Sequence, residues 1–482
     1  MSQQQRYVLG CALVAGLGGL LFGFDTAVIS GTNADLERVF DLSSLWLGFT
    51  VSSALVGTVV GALFAGEPAD RFGRRPMLFV LALLFLVSAL GSALATNWWA
   101  FVAFRFIGGV GVGGASVVSP MYVSELAPAQ YRGRMTATFQ FNIVVGILVA
   151  QLSNYVIGTM ALGASDWRWM FGVEATPAFL FLGLLAFVPE SPRWLVAVGR
   201  TDTARGILER TGTDSGDVGT EMDKIRRSLR QQRQTGTREP LFQMKYLTPI
   251  LLAVTLAAFN QLSGINAVLY YAPRIFRMAG AGESAALLQT VAIGGINLVA
   301  TAAAMLVIDS FGRRKLMLVG SVGYVTSLAT VAATFFFYGD AFQQAQAAGT
   351  AASVGTGGTI VLTGLLVFIA SHAVGQGAVI WVFISEIFPN EVRARGQSLG
   401  VFTHWAMNFV VSWIFPVLAD ASASLTFAVF CSFMILQLLW VLLVMPETKG
   451  VPLEDIKRKI GIVEEPDGEV SPREHKKVGG GG

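Results

Sequence analysis

The sequence predicts an all-helical protein of twelve membrane spans, arranged as two six-helix halves. Three observations carry this. Only 13% of the residues are charged and 53% are hydrophobic, against roughly 25% charged in a soluble domain. Twelve stretches reach the roughly 20 apolar residues that a span needs. Short charged motifs that follow spans of the first half return, in the same order, after the matching spans of the second.

The stretches lie at 8–30, 45–66, 77–95, 98–121, 134–157, 169–189, 247–271, 285–308, 316–338, 358–385, 395–419 and 424–445. Of the 34 lysines and arginines, only Arg38, Arg168, Arg274 and Arg277 fall in loops on one side, Arg105 falls within a span, and the rest share the side of the two termini. By the positive-inside rule both termini are expected in the cytoplasm. The net charge of +3 therefore reports topology and does not point to nucleic acid. Cys11 and Cys431 lie in spans at opposite ends of the chain, so no disulfide framework is expected. The first apolar stretch, with Asp25 inside it, is too long and too polar for a cleaved signal peptide.

Residues 190–245 change character, with eleven basic and eight acidic residues and amphipathic stretches such as "EMDKIRRSLRQQ". They divide the chain into 1–189, a cytoplasmic linker 190–245 with short helices, 246–445, and a tail 446–482. "DRFGRR" at 70–75 returns as "DSFGRR" at 309–314, "SELAPAQYRGR" at 124–134 as "SEIFPNEVRARG" at 385–396, and "PESPR" at 189–193 as "PETKG" at 446–450. Two such halves are related by an axis along the membrane normal, as in major facilitator proteins. On these six motifs the chain resembles the sugar porter branch of the major facilitator superfamily, from Leu9 to about Pro452. It is similar to bacterial xylose–proton symporters and human facilitative glucose carriers. The resemblance implies the major facilitator fold and alternating access by a chain that works as a monomer.

Acids and arginines at the ends of helices can bond each other and the exposed last carbonyls. Pro128 and Pro389 argue for breaks after Glu125 and Glu386, so that partners lie on other helices. The resemblance implies a cytoplasmic gate made of Asp70, Arg74, Glu125, Arg132, Glu190, Asp309, Arg313, Glu386 and Arg393. Gly109, Gly111 and Gly114 match G-x-G-x-x-G, but inside a span they read as close helix packing, with Gly109 and Gly113 as small contact residues. No G-x-x-x-x-G-K-[ST] occurs, so an ATP-driven pump is not expected. Nor is any cofactor, metal or enzymatic activity.

A sugar carrier needs amide, hydroxyl and indole groups around a cavity. The seventh span, "FNQLSGINAVLYY", carries Asn260, Gln261, Asn266, Tyr270 and Tyr271. On a straight helix Gln261 and Asn266 point about 140° apart, and Ser263–Gly264 invites an unwound turn that aims both at one cavity. The resemblance adds Phe22, Gln140, Asn297, Gly377, Trp381, Trp405 and Asn408 as sugar-binding candidates. The chain departs from the family pattern at Asn260, where glutamine is common, at His404, where asparagine or glutamine stands, and at His372, a position often aromatic.

An ionisable residue within a span is costly and functional by default. Asp25 has one candidate partner of opposite charge inside a span, Arg105. At 1.5 Å per residue Asp25 lies about 8 Å, and Arg105 about 10 Å, below the outer end of its span, so the two are expected to meet. Protonation of Asp25 from outside would release the arginine and permit the loaded carrier to turn over. The resemblance agrees: xylose–proton symporters carry aspartate and arginine at these positions, whereas the facilitative glucose carriers have asparagine in place of the aspartate. The expected function is import of a neutral monosaccharide, hexose or pentose, together with protons across a bacterial inner membrane. Facilitated diffusion of a sugar, or proton-coupled transport of a polyol such as inositol, is the alternative.

Overall fold

The computed structural model describes residues 3–212, 217–234, 240–347, 355–389 and 391–449, and their side chains except those of 129–132, 134, 231–234 and 309. The first half contains α1 (Gln3–Val39), α2 (Ser44–Phe64), the short α3 (Gly66–Phe72), α4 (Arg74–Leu94), α5 (Trp98–Leu126), α6 (Ala129–Met160), α7 (Asp166–Gly172) and α8 (Ala175–Leu184). The linker folds as α9 (Pro192–Ala197), α10 (Thr201–Thr211) and α11 (Val218–Gln234). The second half contains α12 (Leu247–Leu262), α13 (Ile265–Met278), α14 (Glu283–Phe311), α15 (Arg313–Ala347), α16 (Thr356–His372), a π-helical turn at Ala373–Gly377, α17 (Ala378–Ile387), α18 (Arg393–Ala421) and α19 (Ala423–Leu443).

Eleven of these stretches, among the described residues, are long and apolar enough to cross a membrane. The expected sixth span is instead broken into α7 and α8. Pro177 has no N–H to offer the Val173 carbonyl, which takes the Thr176 N–H at 3.0 Å, while the Glu174 N–H bonds the Phe171 carbonyl at 3.2 Å. The backbone tightens for a turn at 173–174, and Glu174 stands at that break. Breaks after Glu125 and Glu386 occur where the prolines place them: Pro128 caps the start of α6, and α17 ends at Ile387.

Within each half the helices approach through glycine. A Cβ on Gly109 or Gly113 of α5 would collide with the Ala54 or Thr58 carbonyl of α2, and one on Gly146 of α6 with the Leu20 carbonyl of α1. Small residues let backbones touch where hydrocarbon offers no hydrophobic drive to associate. Large apolar side chains cover the outside, with Leu94 73%, Phe187 81%, Leu306 84% and Leu443 81% exposed; such a surface suits lipid and not water. The halves meet along α2 with α18 and α6 with α14, pairs that exchange under the sequence repeat, and where α1 meets α13.

Candidate functional site

Asp25 on α1 and Arg105 on α5 are each 1% exposed. Arg105 Nη1 donates to Asp25 Oδ1 at 2.6 Å and Nη2 to the Asp25 carbonyl at 3.1 Å. The guanidinium carbon lies 5.4 Å from the centre of the Phe171 ring. Gly108 makes room: a Cβ there would stand 3.0 Å from Asp25 Oδ1. Glu174, bonded through its N–H to the carbonyl of Phe171, is fully buried, with neither carboxylate oxygen bonded among the described residues. A second buried acid thus stands one turn beyond the aromatic residue whose ring Arg105 covers.

A narrow cleft beside the Asp25–Arg105 pair is lined by Asp25, Thr58, Arg105, Tyr270 of the seventh span and Trp405 of the eleventh. The seventh span unwinds at Gly264, which adopts a left-handed φ of +82° between α12 and α13. Asn266 Nδ2 thereby reaches Gln261 Oε1 at 2.8 Å, and Gln261 Nε2 lies 2.8 Å from Asn260 Oδ1 and 3.2 Å from His404 Nδ1. His404 sits between Trp381 and Trp405, with ring centres 5.0 Å from each, and Trp405 faces Phe22 at 5.9 Å. Asn408 Nδ2 donates to Tyr270 Oη at 3.3 Å. His372 borders Gly377 and lies 2.7 Å from Tyr324 Oη. Seven expected sugar contacts, Phe22, Asn260, Gln261, Asn266, Trp381, His404 and Trp405, are thus joined, and Tyr270, paired with Asn408, lines one cleft with Trp405. Gln140 is exposed on α6, and Asn297, half-buried on α14, bonds Thr301 Oγ1 at 3.4 Å; neither is hydrogen-bonded to the cluster. Tyr271 is structural: its hydroxyl donates to the Ser412 carbonyl at 2.9 Å.

At the end of the bundle that carries the linker, each half builds the same charge cluster. Arg74 binds Glu125 at 2.8 Å and Asp70 at 2.9 Å, and Ser191 Oγ donates to Glu125 at 2.6 Å. In the second half Arg313 binds Glu386 at 2.8 Å and Thr448 Oγ1 donates to it at 2.5 Å. Glu190 accepts the backbone N–H groups of Arg74 and Arg75, as Glu447 accepts those of Arg313 and Arg314. The repeated FGRR glycine explains the match. Gly73 (φ +109°) and Gly312 (φ +90°) leave those N–H groups open, and a Cβ on either would strike the carboxylate. Arg393 Nε donates to the Phe388 carbonyl at 3.2 Å, while the side chains of Arg132 and Asp309 lie outside the described residues. Among the described residues these bonds, on side chains expected at a gate, each close within one half. Bonds that join the halves lie at the far end: Arg274 binds Glu37 of the first half at 2.8 Å and Asp420 of the second at 2.8 Å, Ser44 donates to Asp420, and Trp413 Nε1 donates to the Leu45 carbonyl at 3.1 Å.

The family model "Sugar (and other) transporter" matches residues 11–460. The chain belongs to the sugar transporter family. It is 38% identical over 489 residues to a D-xylose-proton symporter of Escherichia coli (strain K12), covering 94% of this chain and 95% of the relative. It is 35% identical to an arabinose-proton symporter of Bacillus subtilis (strain 168), covering 95% of this chain and 96% of that one. The inward-open structure of the xylose transporter of E. coli is similar, with a TM-score of 0.81 at 36% identity over 94% of this chain and 100% of that chain. This sugar transporter is an integral membrane protein and not an enzyme.

Three parts of this arrangement lay outside the expectations from sequence. Glu174 was visible as an acid inside an apolar stretch, "MFGVEATPAF", and the rule applied to Asp25 would have found it. Glu447, Ser191 and Thr448 stand in the repeated "PES" and "PET" motifs, which mark them as a matched pair of clusters. Tyr324 had no signal beyond being a tyrosine in a span.

Proposed function

We propose that this protein is a proton-coupled symporter that imports a neutral monosaccharide, hexose or pentose, by alternating access, with the halves 1–189 and 246–445 rocking about the interface between them. The observation that carries the coupling is the buried Asp25–Arg105 ion pair, with Glu174 a second buried acid that we read as part of the same group. Two carboxylates and one guanidinium are electroneutral when they hold one proton, and charge buried without a partner is costly. Loading a proton from the far side neutralises the group, frees Asp25 from the arginine and removes the charge penalty of moving the helices past each other. The relatives' proton–sugar coupling supports the same reading. So does the cavity: neutral amides, two histidines and indoles match hydroxyls that donate and accept on a ring with an apolar face, and hold no fixed charge for an ionic substrate. Lysine and arginine placement supports a cytoplasmic side for both termini, the linker and the paired clusters.

In this arrangement the far side is the outside. Arg274 with Glu37 and Asp420 is the outer latch, and the two inner clusters are halves of a gate at rest. One charge crossing ~150 mV supplies ~3.5 kcal/mol at ~2.3 kcal/mol per 100 mV, sufficient for a sugar gradient of roughly a few hundred-fold. The test is uptake of a panel of labelled monosaccharides and polyols into proteoliposomes with an imposed inward pH gradient. Accumulation of at least one monosaccharide above equilibrium, abolished by a protonophore, is expected. Equilibration without accumulation would make the protein a passive carrier, and accumulation of polyols alone would overturn the substrate class.

A further inference from the structure

We propose that Tyr324 fixes His372 in the tautomer that carries its proton on Nε2, and that this N–H is a donor that selects for an oxygen of the substrate beside Gly377. The proposal rests on the sugar-carrier reading above and adds a specificity determinant to it.

Tyr324 is fully buried on α15, its ring 5.5 Å from that of Phe368. Its hydroxyl has one acceptor within reach among the described residues, His372 Nδ1 at 2.7 Å. A neutral imidazole has one protonated nitrogen and one lone pair, so only two arrangements exist. If Nδ1 carried the proton, the ring would donate to the phenol and leave the phenol's own proton buried without an acceptor, which costs more than an ordinary bond returns. The hydroxyl proton therefore goes to Nδ1, and the ring proton is on Nε2. The tautomer is set by the bond that the other nitrogen makes.

The free edge of the ring lies against Gly377. A Cβ built there would stand 3.4 Å from His372 Cδ2 and 3.6 Å from Nε2, so the glycine leaves open the space that this edge faces. His372 is half-buried, and among the described residues Nε2 has no protein partner. Gly377 lies one turn before Trp381, whose ring packs on His404 at 5.0 Å. The N–H thus opens on the wall that carries Trp381 and His404. Tyr324 is a positioning residue here, and His372 touches the substrate.

A donor at this point sets a specific pattern. Replacing the contacted hydroxyl by hydrogen removes the acceptor, whereas replacing it by fluorine keeps a weak one. If the ring instead presented a lone pair, fluorine would be as poor as hydrogen.

The experiment combines a spectrum with a binding panel. Three histidines occur in the chain, so the nitrogen-15 spectrum of ring-labelled protein in bilayers is simple, and His372→Phe assigns the signal. Wild type is expected to show His372 with bare Nδ1 and protonated Nε2, and Tyr324→Phe to show a mixture. In wild type one monodeoxy sugar binds about tenfold more weakly than its parent, the loss of about one good hydrogen bond, and the fluoro sugar at the same position within about threefold. His372→Phe abolishes both differences, and His372→Gln, which keeps an amide donor, restores the preference for the hydroxyl. Protonated Nδ1 in wild type, a reading that needs no variant to fold, would overturn the proposal. So would a deoxy pattern unchanged in His372→Phe. Were no parent sugar bound by wild type, the carrier reading would fall and this proposal with it, whereas parent sugars bound without dependence on His372 would overturn this proposal alone.

Discussion

Gly264 decides where the seventh span presents its amides. A residue with a Cβ pays about 1–2 kcal/mol for a left-handed backbone, and here the added carbon would also stand 2.6 Å from the Phe430 ring. Gly264→Ala is therefore expected to weaken sugar affinity by about tenfold and to lower the melting temperature, with calorimetry and thermal unfolding in detergent as the readouts. Unchanged affinity would show that Gln261 and Asn266 need no break to converge. This turn was legible in the sequence because glycine next to serine between two amides has few other reasons to sit in an apolar span. Asp25 and Arg105 were legible for a related reason: hydrocarbon tolerates charge only at a cost, so each charge advertises itself. Glu174 obeys the same rule, but its site depends on a backbone break that Pro177 makes only with its surroundings. The Tyr324–His372 contact joins α15 to the end of α16, and no spacing in the sequence encodes it.

At the scale of elements, the repeated motifs were legible as loops but not as unequal ones. Glu190 and Glu447 occupy matched positions, yet burial pushes the Glu190 carboxyl up despite the N–H groups of Ser191, Arg75 and Arg74. For Glu447, burial is outweighed by the N–H groups of Lys449, Arg313, Arg314 and Thr448, which hold the carboxyl below its ordinary value of 4.5. The signs follow from linkage. A depressed carboxyl contributes stability that is present above its unfolded value and is lost as pH falls through the folded one. A raised carboxyl contributes at low pH and loses that contribution as pH rises through its folded value. Acidification below about 4.5 is thus expected to loosen the α14–α15 loop while the α3–α4 loop stays protected. Hydrogen exchange of the two loops against pH measures this, and Glu447→Gln should remove the acid limb whereas Glu190→Gln should not. Equal behaviour of the two loops would contradict the assignment. Eleven of the twelve expected spans were readable from hydropathy, because lipid demands long apolar helices. The interruption of the sixth was not, since hydropathy does not report hydrogen bonding.

The whole molecule is held closed at the far end by bonds between its halves, and at the linker end, among the described residues, the paired clusters bond within their own half. Arg274 ties Glu37 to Asp420, and with the guanidinium 13% exposed the clamp is screened less than a surface pair. Arg274→Met is expected to shift the population severalfold toward a state open at the far end, read as longer distances between spin labels on the far ends of α6 and α14. An unchanged distribution would remove the latch from the account. The fold was legible at this scale because repeats are written linearly, whereas the conformational state depends on which of two sets of charges is paired across space. The central claim, that one buried carboxylate makes this carrier a symporter, is tested most directly by comparing wild type with Asp25→Asn in proteoliposomes, measuring both sugar exchange at equal pH and accumulation under an inward pH gradient. Asp25→Asn is expected to retain exchange within about threefold, since an amide still accepts from Arg105, and to lose accumulation entirely. Undiminished accumulation by Asp25→Asn would contradict it.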